Sequence, residues 1–221
     1  MKRILVVDYG VGNLQSVSNA LRFLGYRHAV SAQAAALDAA DAYILPGVGA
    51  FAQGMGNLRA LGLLEPLARN VLERGKPVLG ICLGMQLLAE ESEEGVEDGA
   101  EGGGSLHKGL GWIPGRVRRI ASGPGVAATH VGWNTLSVLR QDPLFAGLES
   151  PCVYFDHGYA LDCDASVVSA VCSHGEAVVA AVQRDNIFGV QFHPEKSQAH
   201  GLKILRRLFA SLGFEKEAAP C

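Results

Sequence analysis

With 221 residues, 48% of them hydrophobic, the chain is long enough to bury a sizeable core. Its formal net charge of −3 and its scattered Lys and Arg, clustered only at Arg116-Val117-Arg118-Arg119, exclude a polybasic nucleic-acid surface. No apolar run approaches the length of a membrane span.

The cysteines, Cys82, Cys152, Cys163, Cys172 and Cys221, are odd in number and spaced for neither a zinc site nor a disulfide framework. The N-terminus, Met1-Lys2-Arg3-Ile4-Leu5-Val6-Val7-Asp8, turns polar too quickly for a signal peptide. A cytoplasmic protein without metal or cofactor is the expectation.

In chain order, Ile4 to Val7 is a short apolar run of the kind a buried parallel strand requires. Asp8-Tyr9-Gly10-Val11-Gly12-Asn13 follows, then a helix with Leu14, Val17, Leu21 and Leu24 at helical spacing, closed by Gly25. Gly10 and Gly12 resemble the start of a dinucleotide fingerprint, but Gln15 stands where its third glycine belongs. Arg27 to Ser31 is a candidate second strand, and Ala42 to Leu45 a third that ends in Pro46-Gly47-Val48-Gly49. Glycines at a strand end permit backbone conformations that aim an amide N–H into a cleft. A helical pattern runs from Leu58 to Leu72, interrupted around Gly62 and Pro66.

Next comes Lys76-Pro77-Val78-Leu79-Gly80-Ile81-Cys82-Leu83-Gly84-Met85-Gln86, a strand, a tight turn and a helix. Gly80 and Gly84 flank Cys82 at the spacing of a nucleophile elbow, with cysteine in place of serine. The helix that follows would direct free N–H groups and its positive end at the sulfur, which suits a nucleophilic thiolate. The βα alternation predicts a doubly wound, mostly parallel sheet flanked by helices. Sites in such sheets gather at the carboxyl ends of the strands.

After Glu90 the texture changes. Glu93 to Ser105 is acidic and glycine-rich and reads as a surface loop, its ligand spacing wrong for calcium. Six strand-like runs follow: Gly115 to Ile120, Thr129 to Leu139, Val153 to Leu161, Val167 to Cys172, Ala177 to Gln183 and Ile187 to Phe192. With no long helix between them they predict an antiparallel β extension of the α/β core, all within a single domain of residues 1–221. A helix from about His200 to Leu212 closes the chain.

A cysteine nucleophile needs a base and a group that orients the base. His193 stands at the end of an apolar strand, Pro194 blocks a helix there, and Glu195 is two residues on, within reach of the imidazole. His28, His107, His174 and His200 lack such a strand-end carboxylate.

These motifs resemble the class I (triad-type) glutamine amidotransferases. The glutaminase subunits of imidazole glycerol phosphate synthase match best. The narrowing residues are Asp8 to Leu14, Leu45 to Phe51, Gly132-Trp133-Asn134, and His193-Pro194-Glu195-Lys196-Ser197-Gln198 followed by Gly201-Leu202. The resemblance implies Cys82, His193 and Glu195 as the catalytic triad and glutamine as substrate. It implies oxyanion and glutamine contacts at Gly47, Val48, Gly49, Leu83, Gln86, Gly158 and Tyr159, with the Pro-Gly-Val-Gly strand reorienting when the partner binds its substrate. It implies a heterodimer with a (β/α)₈-barrel cyclase that receives the ammonia, facing Asn13, Trp133, Tyr154 and Lys196, with His130 lining the same surface. Tyr154-Phe155-Asp156-His157-Gly158-Tyr159 departs from the family's Tyr-Phe-Val-His-Ser-Tyr, so only a backbone role survives at Gly158. A glutaminase subunit of another pathway, a silent glutaminase-like module and a stand-alone cysteine hydrolase share the fold and stay open as alternatives.

Overall fold

The computed structural model describes residues 2–96 and 105–216. Strand β1 (Ile4–Val7), helix α1 (Leu14–Leu24), β2 (His28–Ser31) and β3 (Ala42–Gly47) follow the expected order, and a short helix α2 (Ala34–Ala39), not anticipated from the sequence, lies between β2 and β3. Helices α3 (Phe51–Ala60) and α4 (Leu64–Ala68) lead through a π-helical turn, Arg69–Glu73, to β4 (Val78–Cys82) and α5 (Leu83–Leu87). Then come β5 (Glu91–Ser92), β6 (His107–Lys108), β7 (Gly115–Arg119), β8 (His130–Thr135), β9 (Ser137–Val138), β10 (Cys152–His157) and β11 (Tyr159–Cys163). Strands β12 (Val168–His174), β13 (Glu176–Arg184) and β14 (Ile187–Val190) precede α6 (Gln198–Ser211).

The main sheet runs β2-β1-β3-β4-β14-β13-β12-β9. Neighbours from β2 to β14 are parallel, and β13, β12 and β9 continue it antiparallel. Alternation along β1 sends Ile4 and Val6 to one apolar cluster, with Val17, Leu21 and Leu24 of α1 and Leu205 and Leu208 of α6. Leu5 and Val7 join the opposite cluster, with Leu37, Phe51, Leu58, Leu67 and Leu83. Burial on both faces is why these strands read as unbroken apolar runs. Asn13 caps α1 by accepting from the Ser16 N–H, and Gly25 ends it in the left-handed conformation at φ 79°.

Several elements differ from expectation. The helix expected from Leu58 begins at Phe51, and Pro66 sits in the first turn of α4, where a missing N–H breaks no helical hydrogen bond. The run Thr129–Leu139 divides at Leu136 and Val153–Leu161 divides at Gly158, each half joining a different sheet. Strand β8 pairs with β10, whereas β11 pairs with β7 in a small sheet ordered β11-β7-β5-β6. Apolar period marks a strand but not its partner. Likewise Ile187 to Val190 is no part of the extension; it lies parallel beside β4 in the middle of the main sheet. Of the acidic stretch, residues 97–104 lie outside the described residues, as does Cys221.

Backbone meets backbone closely where β3, β4 and α5 cross. A Cβ on Gly80 would sit 2.5 Å from the Gly84 carbonyl oxygen, and one on Gly84 would overlap the Leu45 carbonyl oxygen. Backbone cannot retreat as a flexible side chain would. Gly84→Ala is therefore expected to destabilise the fold by at least ~2 kcal/mol. Chemical denaturation, comparing midpoints at a common slope, checks it.

Candidate active site

The carboxyl ends of β3, β4 and β14 lie side by side, which brings together the three segments that the sequence analysis singled out. Gly47 pairs in register with Cys82. Beyond Val190, Gln191 and Phe192 lead to His193, whose N–H donates to the Tyr154 carbonyl at 2.9 Å. Pro194–Lys196 forms a single 3₁₀ turn. That turn folds the Glu195 carboxylate back to the imidazole, with Oε1 2.8 Å from Nδ1 of His193.

Cys82 stands at the apex with φ 52° and ψ −110°. A non-glycine residue at positive φ is strained, and such strain is retained where the surroundings over-determine it, as the packed glycines on either side do here. The sulfur lies 3.8 Å from the Asp156 carbonyl oxygen and 3.7 Å from Nε2 of Gln191. His193 and Glu195 are each 2% exposed. Nε2 of His193 has no aligned hydrogen-bond partner, although Cys82 lies near enough to act on the imidazole's charge. Burial alone would lower the His193 pKa; Cys82 and Glu195 outweigh it and raise it to about 9. The Glu195–His193 pair thus favours an imidazolium.

Over the cysteine opens a cavity of about 300 Å³ lined by Val48, Gly49, Leu83, Gln86, Glu94 and the run Asp156–Tyr159, with Cys82 in its wall. Of the residues expected to contact glutamine, Gly47 alone is absent from this lining. It sits behind, packed so closely that a Cβ would fall 2.6 Å from the Tyr9 hydroxyl and 2.7 Å from Leu83 Cβ. Gly49 has φ 105°, a conformation that favours glycine. A Cβ at Gly158 would meet only ordinary contacts, so no steric reason keeps serine out.

Trp133 and Tyr154 are cross-strand partners with ring centroids 6.1 Å apart, and Lys196 Nζ lies 5.5 Å from the Tyr154 centroid. These three expected interface residues form one cluster, with Trp133 49% exposed. Asn13 is at the start of α1, which packs on the 194–196 turn. His130 does not share this surface; it is buried. Strand alternation turns it inward from Val131, which is 58% exposed.

Two residues of the site were not singled out in the sequence. Glu94, assigned there to a loop, lines the cavity, and its Oε2 accepts the Phe51 N–H at 2.7 Å at the start of α3. Nothing local in an acidic loop announces that contact. Gln191 is fully buried, its Oε1 accepts from Gln86 Nε2 at 3.2 Å, and its Nε2 donates toward Cys82 Sγ. A lone glutamine inside an apolar run two residues before His193 was the available signal.

Residues 5–212 match the Glutamine amidotransferase class-I family. The chain belongs to that family. Three relatives similar to this chain are each named imidazole glycerol phosphate synthase subunit HisH. The one from Symbiobacterium thermophilum is 46% identical over 93% of this chain and 92% of its own length. The one from Thermosynechococcus vestitus is 46% identical over 94% and 96%, and that from Listeria innocua 40% over 99% and 97%. Two solved structures share the fold: PurLQS from Thermotoga maritima (TM-score 0.67, 22% identity, 96% of this chain and 99% of that one), and the glutaminase domain of Trypanosoma brucei CTPS (0.60, 17%, 99% and 96%). Among the described residues no helix is long and apolar enough to cross a membrane, and no group of His, Cys, Asp and Glu is placed to hold a metal ion.

Two predictions follow from the electrostatics. Burial first, then neighbouring histidines, lower the pKa of His130 to about 4; His157, also lowered mainly by burial, reaches about 4 as well. Their contribution to stability is complete above the unfolded value near 6.5 and is lost as pH falls toward 4. The His193 contribution has the opposite sign, complete below 6.5 and lost as pH rises through about 9. The thermal midpoint is expected to peak near pH 6.5, with the alkaline decline reduced in His193→Asn. Second, Gln191→Leu removes a donor to sulfur, and alkylation of Cys82 by iodoacetamide at pH 7 should slow about tenfold, read by peptide mapping.

Proposed function

We propose that this chain is the glutaminase subunit of an imidazole glycerol phosphate synthase, a single amidotransferase domain acting in the cytoplasm on glutamine and without a cofactor. It hydrolyses glutamine to glutamate and passes ammonia to a (β/α)₈-barrel cyclase subunit. The observation that carries this reading is the strained Cys82 in the wall of a cavity, with the buried His193–Glu195 pair at 2.8 Å beside it.

Cys82 attacks the side-chain amide carbon. His193, protonated and held by Glu195, gives its proton to the departing nitrogen, so that ammonia leaves and a glutamyl thioester remains. His193 then takes a proton from water as the water attacks the thioester, releasing glutamate and restoring the thiolate–imidazolium pair. The tetrahedral oxyanion takes the Leu83 N–H, one of the unpaired donors at the start of α5, as one partner. A backbone N–H of the Gly47-Val48-Gly49 strand end is the second. Each such donor contributes about 2.7–4 kcal/mol to lowering the barrier. Gly49 at φ 105° lets that segment reorient when the partner is loaded. Glu94 lines the cavity and brings a carboxylate to it, where the α-ammonium group of glutamine enters.

The cyclase docks on Trp133, Tyr154, Lys196 and Asn13. Exposure of Trp133 and Val131 on one face of β8, beside the cavity wall formed by β10, supports this. Ammonia released there is kept from bulk water, where protonation would end its nucleophilicity.

The test measures glutamate release by the chain alone, with a barrel cyclase, and with that cyclase plus its ribotide. Weak activity alone, strong stimulation by the loaded partner and loss in Cys82→Ala are expected. Turnover that survives Cys82→Ala would defeat the mechanism, and full activity without a partner would defeat the synthase assignment.

A further inference from the structure

Behind the cavity wall lies a chain of hydrogen bonds that the triad does not use. The Asn134 side chain is oriented by its own neighbours: Oδ1 accepts the Thr135 N–H at 2.8 Å, and Nδ2 donates to the Ser173 carbonyl at 2.8 Å. The same Nδ2 is 3.1 Å from Nε2 of His130. Because that nitrogen meets a donor, it must be the unprotonated acceptor, and the proton of His130 resides on Nδ1. Nδ1 faces Nε2 of His157 at 3.1 Å, which is then also an acceptor. The proton of His157 is thus on Nδ1, 2.8 Å from the Tyr159 carbonyl oxygen. A carbonyl can only accept, so both ends of the relay agree on one direction.

The relay continues into the cavity. The Tyr159 carbonyl also accepts from Gln86 Nε2 at 2.8 Å, and the other hydrogen of that amide goes to Gln191 Oε1 at 3.2 Å. Both donors of Gln86 are therefore spent, and Oε1 is what this cavity residue has left to offer. An acceptor there suits the nitrogen-bearing groups of glutamine and opposes a carboxylate. The donor direction at Gln191, which turns its Nε2 to Cys82 Sγ at 3.7 Å, follows from the same constraint.

The geometry points to Asn134, His130 and His157 as positioning residues for glutamine binding. Their relay, held in neutral Nδ1–H tautomers, fixes the Tyr159 carbonyl and through it the polarity of Gln86 and Gln191. Both histidines are buried, with His130 stacked between Phe155 at 4.3 Å and His174 at 4.6 Å. A proton added to either ring would set donor against donor, which accords with the direction in which both titrate. The assignment rests on the cavity being the glutamine pocket.

The experiment has two arms. Nitrogen-15 NMR of the imidazoles in the intact chain at pH 7 should show His130 and His157 as neutral Nδ1–H tautomers, unlike the Nε2–H form usual for exposed imidazole. Glutaminase kinetics of the complex with a loaded barrel cyclase form the second arm. His157→Phe, which keeps a ring and loses the donor, should raise KM for glutamine about tenfold while kcat changes less than threefold. His157→Asn retains a donor near the Nδ1 position and should recover most of that loss. Asn134→Leu, outside the cavity, should raise KM several-fold and shift the His130 tautomer signal.

Nε2–H tautomers in the parent, or an unchanged KM in His157→Phe, would overturn the assignment. If His157→Phe does not fold, the parent NMR arm and Asn134→Leu decide it. The tautomers are read whether or not the cavity takes glutamine. Failure of the function reading, seen as turnover surviving Cys82→Ala, is thus separate from failure of the relay.

Discussion

The closeness of backbone to backbone where β4 turns into α5 governs the rest of the molecule. Gly80 and Gly84 allow strand and helix to meet almost in van der Waals contact with each other and with β3. That leaves Cys82 no relaxed conformation, and it holds φ 52°. The same crowding brings Gly47 into register with Cys82 and starts α5, with its free N–H groups, directly after it. Remove the crowding and Cys82, the start of α5 and the end of β3 would each relax independently.

Around this point the protein treats its histidines in two opposite ways. His193 has a carboxylate on one nitrogen and the cysteine near the other, so burial fails to neutralise it. His130 and His157 lie close by in a setting that offers only a carbonyl and an amide donor at the ends of the relay, and burial prevails. A charged base beside the sulfur and neutral rings behind the wall divide the work.

The cavity wall also joins the face that carries Trp133. Strands β8 and β10 form a two-stranded ribbon whose outward residues include Val131, Trp133 and Tyr154, and whose inward residues include His130, Phe155 and His157. Lys196 lies 3.9 Å from the Asp156 carboxylate, a half-exposed pair that water screens and that contributes little by itself. The ribbon is one layer thick, so the face that carries Trp133 is separated from the cavity only by the buried His130, Phe155 and His157 packed behind it.

Much of this was legible in the linear chain. Apolar runs marked the inner parallel strands β1, β3, β4 and β14, since strands buried on both faces admit no polar alternation, whereas the edge strand β2 carries His28 and Ser31 and is partly exposed. The paired glycines around Cys82 marked the elbow, and Pro194 with Glu195 marked a histidine with its orienting carboxylate, because both devices are built within a few residues. The chain could not show that Ile187–Val190 lies beside β4, that Gly158 sends β10 and β11 to different sheets, or that His130 faces inward. Those depend on which strands pair, and pairing is decided by the competition of every apolar face for the same core. Glu94 and Gln191 reach the site by the same route. Their partners are distant in sequence, so only the folded chain decides what they touch.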